Sequence, residues 1–342
     1  MELPDGTRIR LEPADEFTHP VEAARNYNES VYLNLFDPAQ RMGGWFRVGN
    51  RPNEGHAEVS RCVYLPQGSV GFLYSRPEIQ SNDAFAAGGL KLEILEPFRS
   101  FRLTYDGQLC LLENPSEMAD PRRAFERNPL VDCAVDLDCF GVSPMYGGER
   151  VQADGSRIEI EAEKSFARAH YEQHIGGRGS IRVGDREWRV EGLGLRDHSW
   201  GPRYWQAIRS YRWLPMSFDR GFAMMVSIVS GARGDAVAGG MVLRDGEYTP
   251  ITGARIETEW NESWYQTAMR IHASTADRDY EIEGSVVSLI PLRNRRTTPE
   301  GEVLHTRITE GMTEFRCDGQ VGWGMSEYLD QIVDGKPVGD LG

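Results

Sequence analysis

The chain has 342 residues, and its formal net charge of −14 speaks against electrostatic docking on nucleic acid or an anionic membrane surface. Hydrophobic residues make up 40% of it, enough for sizeable cores, and the length suits two domains of ordinary size. No apolar run nears the roughly 18 residues that a membrane helix needs, so membrane insertion is not expected.

The first residues, Met1 to Gly6, lack the basic and apolar segments of a secretory signal. Cys62, Cys110, Cys133, Cys139 and Cys317 are odd in number and scattered. Reduced thiols and a cytoplasmic location are the expectation. Asp-Gly pairs recur at 5–6, 106–107, 154–155, 245–246, 318–319 and 334–335. They predict tight hairpin turns, because a type I′ turn needs positive φ at both central residues.

In the first half, Asn28-Glu29-Ser30-Val31-Tyr32 precedes Gly43-Gly44-Trp45-Phe46-Arg47. Glu29, Tyr32, Trp45, Arg47 and Glu58 could reach a cavity between domains or serve as ordinary strand-face residues. Lys91–Glu96 and Phe101–Tyr105 alternate as a pair of strands. The best helix candidate is short, near Ser116 to Arg127, with Pro121 inside it. The turn-rich stretch from Tyr146 to Ser156 predicts the boundary, giving domains over 1–150 and 151–342.

In the second half, His170, Glu172 and His174 alternate, so on a strand they share one face. Two histidines and a glutamate on one face could hold zinc or iron, or form a plain polar face. Ser180–Val183 and Arg186–Val190 flank Gly184-Asp185 as a hairpin. Phe222–Val229 is a near-continuous apolar run, and Arg255–Trp260 and Ala268–Ala273 alternate again. Asn261–Tyr265 echoes Asn28–Tyr32, too briefly to establish a repeat. Arg293-Asn294-Arg295-Arg296 reads as a solvated loop, and the Gly-rich tail from Val333 is expected to fray. Helical periodicity is nearly absent, so the residues point to an all-β protein, a sandwich or barrel.

Chemistry concentrates between Gly192 and Trp213, where Arg196, Asp197, His198, Arg203, Arg209 and Arg212 interleave with Trp200, Tyr204, Trp205, Tyr211 and Trp213. Titratable groups beside aromatics are what shifted pKa values require. Asp197-His198-Ser199-Trp200-Gly201 resembles the Asp-His-x-Trp-Gly signature of the carotenoid 1,2-hydratase/AttH-like family. Upstream, His170–Gln173 and the hairpin from Gly176 to Trp188 resemble the opening of the second domain in that family, and Gly322–Tyr328 is similar to a closing strand of that domain. The resemblance implies two lipocalin-like β-barrel or sandwich domains packed together, with few short helices and a ligand cavity at or near their junction. It also implies chemistry on apolar molecules without a cofactor, by hydration or cyclisation. In the hydratases the strand after the motif carries a tyrosine and an acid. Here that strand, Gly221–Val229, has Met224, Met225 and Ser227 in their place, which leaves Asp197, Asp219 or Glu172 as the acid.

These readings combine into a cofactor-independent lyase or isomerase acting on an isoprenoid-, steroid- or polyketide-like small molecule in the second domain. Asp197, His198 and Glu172 are the candidate proton-handling groups. Tyr171, Trp200, Tyr204, Trp205, Tyr211 and Met224 are the candidate substrate contacts. No metal or cofactor is expected, although the 170–174 face keeps a metal-dependent enzyme as a weaker alternative. A non-catalytic carrier or sensor of a lipid-like ligand is the other reading, and a homodimer is left open. The absence of a Gly-x-Gly-x-x-Gly, phosphate-loop or Gly-x-Ser-x-Gly pattern speaks against nucleotide cofactors and serine hydrolysis.

Overall fold

A computed structural model describes residues 5–162, 165–205, 208–231, 235–297 and 303–340. Alternating and β-branched segments become strands throughout. In chain order they are β1 (Arg8–Arg10), β2 (Tyr27–Asp37), β3 (Met42–Arg51), β4 (His56–Tyr64), β5 (Val70–Ser75), β6 (Phe85–Ala87), β7 (Leu90–Glu96) and β8 (Ser100–Leu112). The single α-helix among the described residues, α1 (Pro121–Arg127), follows. Pro121 opens that helix instead of interrupting it, where its missing N–H costs nothing. Then come β9 (Leu130–Gly141), β10 (Tyr146–Val151), β11 (Ala169–Val183) and β12 (Arg186–Pro202). These twelve strands make one antiparallel sheet. Since β9 pairs with both β8 and β11, the strands β11, β12, β2, β3, β4, β5, β8 and β9 close into a ring. Eight strands give a barrel just wide enough for side chains to fill. Val31, Leu33, Leu35, Phe46, Val48, Leu137 and Ile175 fill it. Leu33 is fully buried there, and Leu33→Ala should cost about 2–5 kcal/mol.

The second sheet contains β13 (Ile208–Ser217), β14 (Phe222–Gly231), β15 (Ala236–Arg244), β16 (Glu247–Pro250), β17 (Gly253–Trp260), β18 (Gln266–Ser274), β19 (Asp279–Thr297), β20 (Val303–Cys317), β21 (Gln320–Val333) and β22 (Lys336–Pro337). It curls around its own core, which includes Leu214, Met216, Met224, Val226, Ile271 and Phe315. The outer faces of the two sheets meet over Tyr32, Trp45, Phe72, Ile290, Met312 and Trp323.

The all-β, two-domain class expected from the sequence is what forms. The chain passes from one sheet to the other between Pro202 and Ile208, not at 150. The two strands expected to open the second half, β11 and β12, instead complete the first barrel by pairing with β9 and β2. The turn-rich stretch at Tyr146–Ser156 misled because it lies at β10, on the edge of that same sheet.

Asp245-Gly246, Asp318-Gly319 and Asp334-Gly335 are hairpin turns with positive φ at both residues. Asp106-Gly107 is not a turn but lies inside β8, paired with Ala134 and Cys133. Gly107 makes room for a ring there, since a Cβ would stand 2.7 Å from the Tyr105 hydroxyl. The hairpin before it turns at Phe98 instead, at φ 65°. The Asn261–Tyr265 echo is a turn between β17 and β18, whereas Asn28–Tyr32 is strand, so the two are not a repeat. Arg293, Asn294 and Arg295 are not a solvated loop but part of β19, registered against Thr306 and its neighbours in β20. All five cysteines are free and buried. No helix of the described residues is long and apolar enough to cross a membrane.

Candidate active site between the sheets

Strand alternation decides which side of the barrel wall each group serves. On β12, Arg196, His198 and Trp200 point to the interior of the first barrel, while Asp197 and Ser199 point outward to the second sheet. The outward groups reach an open cavity of about 1000 Å³ between the sheets. The first sheet contributes Tyr32, Trp45, Arg47, Glu58, His170, Glu172, Asp197 and Ser199 to its wall. The second contributes Tyr211, Trp213, Met225, Glu310 and Glu327. The cavity lies at the junction, where the resemblance put it, and outside both cores instead of inside the second barrel.

Besides Glu58, four carboxyl groups converge on this cavity in two pairs. Glu172 and Asp197 are register partners across β11 and β12. Glu310 and Glu327 are register partners across β20 and β21. Trp213 Nε1 donates to Glu172 Oε1 at 2.7 Å and so ties the sheets together. Burial pushes Glu172 up to about 7, against the pull of His170 and the Trp213 bond. Tyr211 donates its hydroxyl proton to Glu327. Burial lifts Glu327 too, to about 7, the Tyr211 bond opposing and the Asp197 charge adding. Glu310 is held well above the usual range by burial and by Glu327 opposite, and its Oε2 has no hydrogen-bond partner. Two carboxylates facing each other in an apolar wall cannot both ionise cheaply, so this pair shares protons at neutral pH.

His170 completes the set. Its ring is 44% accessible, because it faces the cavity, and Nε2 lies 3.2 Å from Asp197 Oδ2 and 3.8 Å from Glu172 Oε1. Burial opposes its protonation, but the Asp197 hydrogen bond and the Glu172 charge outweigh it and raise its pKa. The cavity therefore holds proton donors and a histidine–carboxylate pair beside the rings of Tyr32, Trp45, Tyr211 and Trp213.

The other face of the same strands carries a different network. Glu29 Oε1 lies 3.0 Å from His198 Nε2 and 2.6 Å from His19 Nδ1. Tyr27 and Asn82 donate to Glu29 Oε2 at 3.1 and 2.6 Å. Burial alone would raise Glu29, yet the two histidines more than compensate and bring it down to about 2. His198 Nδ1 contacts the Tyr171 hydroxyl at 3.1 Å, and that hydroxyl donates to Glu16, which also pairs with Arg196 at 3.0 Å. Trp200 stacks on His19 with ring centroids 4.0 Å apart. The donor atoms of His19, Glu29 and His198 lie within 4.8 Å of one another, a metal-like grouping. The glutamate oxygens there are already saturated by N–H and O–H donors, so the group fits a hydrogen-bond network better than a cation.

The sequence-derived candidates are thus divided. Glu172, Asp197, Trp205 and Tyr211 line the cavity. Asp197 and His198 do not form a pair, because neighbouring strand residues face opposite sides. His198, Tyr171 and Trp200 belong to the barrel interior. Met224 points into the second core, and its neighbour Met225 takes the cavity position. Tyr204 is outside the lining, with its backbone bonded to Ser165. Asp219 caps the turn before β14, accepting from the amides of Gly221 and Phe222 at 2.7 Å. Of the N-terminal candidates, Tyr32, Trp45, Arg47 and Glu58 reach the cavity and Glu29 does not.

The proposed metal face is also broken up. His174 Nε2 donates to the Met224 carbonyl at 3.1 Å, and Nδ1 accepts from Tyr248 at 2.8 Å. Burial holds its pKa down to about 4, so the ring is a neutral bolt between the sheets with no lone pair to spare. Reasoning from sequence did not single out Glu310 and Glu327, and it noted Arg203 only as one charge of the Gly192–Trp213 stretch. The first two had a signal: each is a lone acid in an otherwise apolar or neutral strand segment, Ile308–Met312 and Met325–Leu329.

This architecture defines a class of two-domain, all-β proteins with a junction cavity. An AttH candidate from Nitrosomonas europaea is similar in fold, with a TM-score of 0.61 at 14% identity over 96% of this chain and 98% of that one. The protein CghA, in its structure with Sch210972, gives 0.50 at 10% identity over 92% and 94%. Kievitone hydratase from Nectria haematococca gives 0.50 at 8% identity over 96% and 97%. At such identities the likeness is one of fold, the AttH-like fold that the Asp197–Gly201 motif resembles. The chain itself belongs to the family described as a domain of unknown function, DUF7064, which matches residues 12–332. No curated protein matches it.

Proposed function

We propose that this protein is an acid–base enzyme of the lyase or isomerase type, adding water across a double bond of a largely apolar small molecule held between the sheets. The observation that carries this reading is Glu327, a carboxyl with a pKa of about 7 in a cavity walled by aromatic rings. A general acid works best when its pKa lies near the working pH. Tyr211 holds one oxygen of Glu327, leaving the other to carry the proton. That proton passes to one alkene carbon, whose π electrons form the new C–H bond and leave a cation on the next carbon. The faces of Tyr32, Trp45 and Trp213 favour such a cation, by about 0.5–2 kcal/mol per ring. Water adds to the cation, and its proton goes to His170, which Asp197 orients and whose positive charge it stabilises. The proton then returns to Glu327, closing the cycle. The same donor, without water, serves cyclisation or double-bond migration.

Isoprenoid, steroid and polyketide-like molecules are the substrate classes that suit a cavity of about 1000 Å³ with this lining. A fold neighbour named as a hydratase agrees with the reaction class. The test is incubation with a panel of such compounds in heavy-oxygen water, followed by mass spectrometry. A product that has gained one labelled water supports hydration. A new isomer of unchanged mass moves the reaction to cyclisation or isomerisation. Tight binding with no product from any compound would replace the enzyme by a carrier.

A further inference from the structure

One cation in the cavity wall stands out by what it lacks. Arg203, just after β12, is only 8% accessible. Its main chain is fixed: its N–H donates to the Asn26 carbonyl at 2.9 Å, and the Asn26 side-chain amide donates to its carbonyl at 3.3 Å. Its guanidinium lies 4.3 Å from the centre of the Phe166 ring and 5.3 Å from that of Trp205. Among the described residues, its hydrogen-bond acceptor is the Ser199 hydroxyl, reached by Nη2, and Nε is buried with no partner.

The other buried arginines are served differently. Arg196 has Glu16 and Gln173, and Arg212 has Asp330; Arg61, whose Nε is also buried without a partner, still has three acceptors in the carbonyls of Val59 and Gly88 and the Ser75 hydroxyl. A guanidinium offers five donors, and leaving buried ones unpaired is costly. Burial, followed by the repulsion of Arg47, depresses the Arg203 pKa to about 10. Arg47 lies 3.7 Å from Glu58 and donates to Asn28 Oδ1 at 3.4 Å. Two cations are therefore held close at one region of the cavity wall, and among the described residues Arg203 has no carboxylate hydrogen-bonded to it.

Resting on the reading of this cavity as a substrate site, we infer that the substrate carries a carboxylate, which docks on Arg203 with help from the Ser199 hydroxyl. The molecule is then amphiphilic: an apolar body against Tyr32, Trp45 and Trp213, and an anionic head at Arg203. A planar guanidinium meets a planar carboxylate through parallel N–H···O bonds, which fixes orientation as well as position. Docking has a second consequence. The Arg203 charge helps to hold Glu327 down and opposes protonation of His170. A carboxylate on Arg203 cancels that field, so a bound substrate keeps the donor protonated.

The test uses the full chain and two fluorescent probes of one shape, 1-pyrenebutyrate and 1-pyrenebutanol, titrated at neutral pH. A charge-assisted bond is worth about 1.5–3 kcal/mol, so the carboxylate should bind roughly 10-fold tighter or more than the alcohol. In Arg203→Met the two affinities should fall within about twofold, with the alcohol binding as in the wild type. Arg203→Lys should keep part of the preference, because a point charge replaces the fork. Should Arg203→Met fail to fold, Ser199→Ala should still cut the preference, by roughly threefold. Equal affinities in the wild type would overturn the inference and leave the proposed acid–base chemistry standing, as would a preference that survives in Arg203→Met. Binding of neither probe would overturn the inference and count against the cavity reading as well.

Discussion

The two faces of β12 carry similar residue types and do opposite things with them. Inside the barrel, Glu29 sits among His19, His198, Tyr27 and Asn82, and every neighbour stabilises its charge. Its pKa falls to about 2. Across the wall, Glu172 and Glu327 each accept a bond from one aromatic donor and stand beside further carboxyl groups, Asp197 and Glu310. Their pKa values rise to about 7. Burial penalises the carboxylate in both places, and the number of donors decides which way it shifts. A saturated carboxylate is structural, while an under-served one is ready to give up or take a proton near neutral pH.

The largest effect expected from this contrast is on turnover. Glu327→Gln should lower kcat by about 10²–10⁴-fold on a converted substrate, with little change in ligand binding. Its melting temperature should hold or rise, since an uncomfortable buried acid is replaced by a neutral isostere. The converse holds for the inner network. Glu29→Gln or His198→Ala should keep most of the turnover per folded molecule but lose about 3–5 kcal/mol of stability, because a buried charge loses its partner. Calorimetry should record a fall on the order of 10 °C.

A third, smaller effect separates the faces by pH. Glu172 binds its proton more tightly in the folded than in the unfolded chain, so its contribution favours folding at low pH. That contribution fades as pH rises from the unfolded value of 4.5 through the folded value of about 7. Above that the cost reaches about 3 kcal/mol. Glu172→Gln should remove this slope from a plot of stability against pH. Glu29 works the other way: its stabilisation is full above 4.5 and is lost as pH falls toward 2. Acid unfolding should therefore be much shallower in Glu29→Gln. The smallest effect is that of Tyr211→Phe. Removing that donor lets Glu327 rise further, and the limb of the pH–rate profile it controls should move toward alkaline pH with at most about a 10-fold loss in rate.

The sequence disclosed the fold class through its alternation and its Asp-Gly turns, of which Asp245-Gly246 and Asp318-Gly319 formed as read. It also located the strand that matters, because Asp197–Gly201 lies on the wall between barrel and cavity. The division of that strand was half legible. Period-two alternation separates Asp197 from His198, but only the three-dimensional packing tells which side is core and which is cavity. The partner acids Glu310 and Glu327 stand out only as lone acids in their strands; their approach to Asp197 was not legible, since they lie more than a hundred residues away in sequence. His174 looked like a ligand because spacing reports a shared face and is silent about Tyr248 and Met224, which occupy both ring nitrogens. Arg203 was visible as a charge, but its want of partners is a property of the folded wall alone.

The central claim, that the cavity carboxyls are the proton donors, can be tested before any substrate is known. The measurement is the infrared carbonyl stretch of protonated carboxyls, followed across pH as a difference between the wild type and Glu327→Gln. The account predicts a carboxylic-acid band, present in the wild type and missing from the variant, that disappears with a midpoint near 7. A band that vanishes near 4.5, the ordinary glutamate value, would contradict it.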